Sequence, residues 1–153
     1  MIKKEVEKIL QYVQKPARYV GGELNSVIKD ANKVDIRYAF CFPDIYEIGM
    51  SHLGMKILYG LVNDREDSWC ERVFAPDIDM EEQMRKHNVP LFALESGDYI
   101  KDFDMIGFTL MYELCYTNVL NMLDLAGIPL FSKDRTELAP IVCVGGPCAC
   151  NPE

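Results

Sequence analysis

The sequence predicts an α/β protein built on a doubly wound parallel sheet. Apolar runs of strand length alternate with helical patterns in the order strand–helix–strand–helix–strand–helix–strand. The first run, residues 36–42, is almost continuously apolar, as a strand covered on both faces should be. Right-handed crossovers then fix the hand, and a 2-1-3-4 strand order makes strands one and three neighbours.

Each element follows from its own pattern. Residues 2–14 place Ile2, Val6, Ile9, Leu10 and Val13 on one helical face, and Pro16 ends that helix. Residues 15–26 show no period, and Gly21-Gly22 marks a turn or a close approach. Residues 1–34 therefore read as an N-terminal helix and linker, and 35–153 as the sheet domain. Strand one stops at Pro43. The next helix is expected from about Ser51, as N-cap, to Asn63, with Leu53, Ile57, Leu58 and Leu61 as its buried stripe. Strand two covers 69–74. A helix then opens at Asp79, with Glu82 completing a capping box, Met80 and Met84 inward, and His87 near its C-terminus. Residues 90–94 fit one short extra strand. Strand three spans 105–111, and the helix after it, 113–126, turns Cys115, Val119, Met122, Leu123 and Ala126 inward before Gly127 and Pro129 stop it. Strand four, 141–144, runs into Gly145-Gly146-Pro147. A five-stranded domain would need one more helix and strand, so the domain is expected to be incomplete at its C-terminus.

Bulk properties remove several function classes. A net charge of −8 over 153 residues opposes non-specific nucleic-acid binding and docking on anionic lipid. No apolar run approaches the roughly 20 residues of a membrane helix. The N-terminus lacks the apolar core of a secretion signal, so a cytoplasmic location is expected. Of six cysteines, Cys41, Cys70, Cys115 and Cys143 lie in apolar segments, where cysteine acts as a small buried hydrophobe. Cys143, Cys148 and Cys150 cluster, but their spacing fits no zinc pattern; loop packing or a metal role stays open.

Three loops leave the carboxyl ends of strands one, three and four and share one crevice at the switch point, where such sheets hold ligands. The first carries Asp44, Tyr46, Gly49 and Met50. Strand three ends with Thr109 and Met111. Strand four ends with Gly145 and Gly146, whose lack of a Cβ admits a ligand to the backbone. No Gly-x-x-x-x-Gly-Lys-Ser/Thr phosphate loop occurs. Asp44 occupies a place like that of a receiver-domain phosphoacceptor, but Phe40-Cys41 stand where an acidic pair would precede it.

Asp44-Ile45-Tyr46-Glu47-Ile48-Gly49, Thr109-Leu110-Met111 and Gly145-Gly146 resemble, in order, the Asp-x-His-x-x-Gly, Ser-x-Leu and Gly-Gly signatures of cobalamin-binding domains. The longer stretches Lys15 to Tyr19, Gly21 to Ser26, Met50 to Gly54 and Asn118 to Leu130 resemble the N-terminal region of a radical S-adenosylmethionine (SAM) family that carries a B12-binding domain. The resemblance implies a Rossmann-like, flavodoxin-like fold. It also implies cobalamin held by Asp44, Tyr46, Gly49, Met50, Thr109, Met111, Gly145 and Gly146. Gly145 and Gly146 would line the slot for the nucleotide tail, and Thr109 would hydrogen-bond its benzimidazole. Tyr46 replaces the cobalt-binding histidine, so the implied cobalamin is histidine-off. Tyr46 either faces the cofactor or packs as a loop aromatic, and His52, at the first turn of the next helix, is either a surface or packing residue or a cobalt ligand. S-adenosylmethionine and a [4Fe–4S] cluster belong, by the resemblance, to a downstream radical SAM domain in the same polypeptide, because this chain has no Cys-x-x-x-Cys-x-x-Cys. The rival readings are a cofactor-free docking module of the same shape and a flavin or nucleotide binder in a generic crevice.

Overall fold

A computed structural model describes residues 2–150. Four strands, β1 (Ile36–Phe42), β2 (Ser68–Phe74), β3 (Met105–Thr109) and β4 (Ile141–Gly145), form one parallel sheet in the order β2-β1-β3-β4. Ile36 pairs with Ser68, Tyr38 with Met105, and Thr109 with Gly145, so β1, β3 and β4 end at one edge. This is the expected doubly wound, Rossmann-like arrangement.

The two faces of the sheet carry separate cores. Ala39, Cys41, Val73, Ile106 and Phe108 pack against Val6 and Ile9 of α1 (Lys4–Leu10), Met80 and Met84 of α4 (Ile78–His87), and Met122 and Leu123 of α5 (Cys115–Leu125). The alternate residues Phe40, Phe42, Cys70 and Phe74 meet Met55 and Tyr59 of α3 (Leu53–Asn63), with the short α2 (Tyr46–Ser51) before it. The inward Met80 and Met84, the positive φ of 71° at Gly127 and the inward Cys115, Met122, Leu123 and Ala126 agree with the pattern in the sequence. Residues 90–94 form no full strand; Phe92 makes one antiparallel bridge to Tyr99.

The helix after β1 departs from expectation. It is broken at His52, whose extended backbone (φ −77°, ψ 111°) separates α2 from α3. His52, not Ser51, caps α3: its Nδ1 accepts the Met55 N–H at 3.1 Å. The buried row is Met55, Tyr59 and Asn63, while Leu53, Ile57, Leu58 and Leu61 are more than half exposed. Because α3 is apolar nearly all round, its pattern selects no face. Polar pins select it instead. The Asn63 amide bonds both the N–H and the C=O of Cys70 at 3.0 Å, and the Tyr59 hydroxyl accepts the Val27 N–H at 2.7 Å. The start of α4 also moves: Asp77, rather than Asp79, is its N-cap, and Asp79 Oδ2 instead accepts the N–H of Gln14.

The outer edge of β2 is sealed by groups that imitate a neighbouring strand. Lys29 Nζ donates to the Ser68 carbonyl at 2.7 Å, Asn63 serves Cys70, Glu95 accepts the Arg72 N–H at 2.7 Å, and the Leu94 N–H donates to the Arg72 carbonyl at 2.9 Å. This explains how an edge strand can be buried along its whole length and still carry Glu71 and Arg72. Each charge is paired, Glu71 with Arg37 and Arg72 with Glu95 and Glu23, as buried charges must be.

Candidate functional site

The carboxyl edge of the sheet carries two clusters, joined through the loop after β1. On the β3–β4 side, Thr109 and Gly145 are direct partners in the ladder. Side-chain alternation puts Gly107, Thr109, Cys143 and Gly145 on the α3 face, since Ile106, Phe108 and Val142 belong to the opposite core. Gly145 is exposed, and a β-carbon built on it meets nothing within 4 Å. The Thr109 hydroxyl donates to Met111 Sδ at 3.5 Å, a weak acceptor. Gly146 is different in kind. Its φ of 102° and its approach to the Leu110 backbone make it a turn glycine, and the Leu110 N–H donates to the Gly145 carbonyl at 2.7 Å. Tyr38 covers Gly107 on this face, so the small residues left open at the strand ends are Thr109, Cys143 and Gly145.

On the β2 side lie Tyr46, Gly49 and Met50. Tyr46 donates to Glu23 Oε1 at 3.1 Å and meets the Phe74 ring edge-on at 5.5 Å. Burial, then the Glu23 charge, raises its phenol above the ordinary value of 10.0. Gly49 is buried under Phe74, leaving no room for a β-carbon. Met50 Sδ accepts from Arg72 Nη1 at 3.4 Å. These three residues sit with the segment 21–27 and not with Thr109 and Gly145.

Asp44 stands between the clusters. Its Oδ1 accepts the Ile45 N–H at 2.8 Å, and its Oδ2 takes a short hydrogen bond from the Tyr112 hydroxyl. That bond, before burial, raises the Tyr112 phenol well above its ordinary value. Asn118 of α5 donates to the Pro43 carbonyl at 2.9 Å and fixes the same loop. Sequence reasoning missed Tyr112 and Asn118, which show no period of their own. It also missed Glu23 and Arg72. The available signal was Gly21-Gly22: both have positive φ, and Gly21 presses on the Leu94 carbonyl oxygen, so the segment that carries Glu23 has a fixed path.

A strand-end crevice of this form is shared by many α/β proteins, so the geometry alone selects no family. Residues 54–153 match the family model for the N-terminal region of radical SAM proteins. The chain belongs to this radical SAM N-terminal family. No curated protein and no solved structure gives a significant match. The matched span of the radical SAM N-terminal domain contains Thr109, Met111, Gly145 and Gly146 and begins after the loop that holds Asp44, Tyr46, Gly49 and Met50. Among the described residues of the domain, no group of three His, Cys, Asp or Glu side chains is placed to hold a metal, and no helix is long and apolar enough to cross a membrane.

Proposed function

We propose that this radical SAM N-terminal domain binds a corrinoid and presents it to a radical SAM catalytic domain of the same polypeptide. The observation that carries the reading is the set of small residues at the ends of β3 and β4. Thr109, Cys143 and Gly145 offer a strip of small residues against which a flat group can lie, with open space over Gly145. The nucleotide tail would rest there, and the Thr109 hydroxyl would exchange the Met111 sulfur for a better acceptor on the tail.

The residues fit a corrinoid whose cobalt has no protein imidazole. Tyr46 is committed to Glu23 and Phe74, and a protonated phenol is a poor metal ligand. His52 Nδ1 accepts a backbone N–H, so the neutral ring carries its proton on Nε2, which leaves no lone pair there for a metal. When bound, the corrinoid supplies the cobalt chemistry; the protein supplies orientation and exclusion of water.

Titration with hydroxocobalamin, followed by ultraviolet–visible absorbance, tests the proposal. A saturable change that Gly145→Leu abolishes, without loss of circular dichroism, is expected. No binding at any concentration overturns it in favour of a second reading, a cofactor-free docking module. That reading draws on the exposed row Leu53, Ile57 and Leu61, an apolar face of a kind that marks contact surfaces.

A further inference from the structure

A cavity of about 390 Å³ lies on the other flank of α3, roofed by residues 23–27 and walled by Met50, Met55, Tyr59, Gly60 and Arg72. Its volume is in the range of small-molecule sites. Its walls are mainly apolar: Met55 and Tyr59 are buried, and the Arg72 guanidinium lies 4.6 Å from the centre of the Tyr59 ring.

Arg72 brings to the cavity a donor that has only a weak acceptor. The side chain is 7% exposed. Nε donates to Glu95 at 2.6 Å, and Nη2 donates to Ser26 at 2.8 Å and Glu23 at 3.3 Å. Nη1 has the Met50 thioether at 3.4 Å as its acceptor. A thioether is a weak acceptor for a buried guanidinium, which is a strong, fixed donor. An oxygen acceptor entering the cavity would therefore be received at Nη1.

Charge decides what kind of oxygen. Glu95 and Glu23 already flank the single charge of Arg72, and Lys56 at the rim is exposed. An anion placed at Nη1 would meet two carboxylates across a poorly solvated space, and a cation would meet the guanidinium. We propose that this cavity binds a small uncharged molecule, with an amide or ketone oxygen on Arg72 Nη1 and an apolar or aromatic body against Met50, Met55 and Tyr59. This site is separate from Thr109 and Gly145 at the β3–β4 strand ends and does not depend on corrinoid binding.

Benzamide, benzoate and benzene are suitable probes, observed through carbon-13-labelled methionine methyls. Benzamide should shift the Met50 and Met55 methyls in a saturable way. Benzoate and benzene should each bind about tenfold or more weakly, the loss expected when a hydrogen bond to a charged group is replaced by repulsion or removed. Arg72 is too deeply paired to substitute safely, so Gly60→Leu serves as the control. A β-carbon at Gly60 meets nothing within 4 Å, and leucine favours the helix. The variant should fold, fill the cavity and lose the benzamide shifts. Absence of saturable shifts, equal binding of benzoate or benzene, or benzamide binding that survives Gly60→Leu would each overturn the proposal.

Discussion

The hydroxyl of Tyr38 on β1 lies directly over the α-carbon of Gly107 on β3, in the space a side chain at 107 would need. The Tyr38 ring also stacks on Phe40 at 5.8 Å, so it cannot swing away without losing that contact. A glycine inside a strand is thereby explained by close approach, not by turning.

Gly107→Ala should destabilise the fold by about 1–3 kcal/mol, the usual cost of overpacking. Tyr38→Phe removes the atom nearest the new methyl and should recover part of that loss. A double-mutant cycle in urea measures the recovery. Strict additivity of the two changes would show that they do not share this space.

The face of α3 is open to a direct test. Met55→Ala should cost about 2–5 kcal/mol, as core truncations do. Ile57→Lys and Leu61→Glu, on the exposed row, should each stay within about 0.5 kcal/mol. If the two exposed-row changes cost more than Met55→Ala in chemical denaturation, the helix would be rotated relative to the arrangement described.

Arg18 supports the acid limb of stability. It pairs with Asp77 and with Glu47, and its hydrogen bond is the main cause lowering each carboxyl, from ordinary values of 3.8 and 4.5. Carboxyls depressed in the folded state add stability at higher pH. That stability fades as pH falls below those ordinary values and through the folded ones. In Arg18→Gln the loss at neutral pH should be small, about 0.5 kcal/mol for the Asp77 pair, because Asp77 is 42% exposed and screened. The variant's stability should then vary less with pH below 4.5 than the parent's. Equal slopes in acid titrations of the unfolding midpoint would rule this out.

Electron paramagnetic resonance of a cobalamin complex in the Co(II) state addresses the lower ligand. A nitrogen on cobalt splits each cobalt line into three. The tautomer fixed at His52 and the engagement of Tyr46 predict that no such triplets arise from the protein. Triplets that vanish in His52→Ala would identify His52 as the ligand. Triplets that survive the change would mean that the tail itself is coordinated and is not held at Thr109 and Gly145.

The sheet order, both cores on β1, and the meeting of Asp44, Thr109 and Gly145 at one edge were readable because strand–helix alternation and near-continuous apolar strands constrain topology strongly. The orientation of α3 was not readable. Leu53, Ile57, Leu58 and Leu61 are as apolar as Met55 and Tyr59, and the choice between them rests on Asn63 and on a hydroxyl that meets a linker backbone. The division of the loop residues was hidden for a similar reason. Tyr46 and Met50 answer to Glu23 and Arg72, two charges distant in sequence from them and from each other, and no local period records such a pairing.

The covered flank of β2 limits how this molecule can associate through its backbone. Growth of a ribbon by strand addition needs two free flanks per molecule, one to receive and one to offer. Lys29, Asn63, Leu94 and Glu95 close one of them. Among the described residues β4 forms the other border of the sheet. Whatever pairs at β4, an open-ended filament built by strand addition would require β2 to be stripped first.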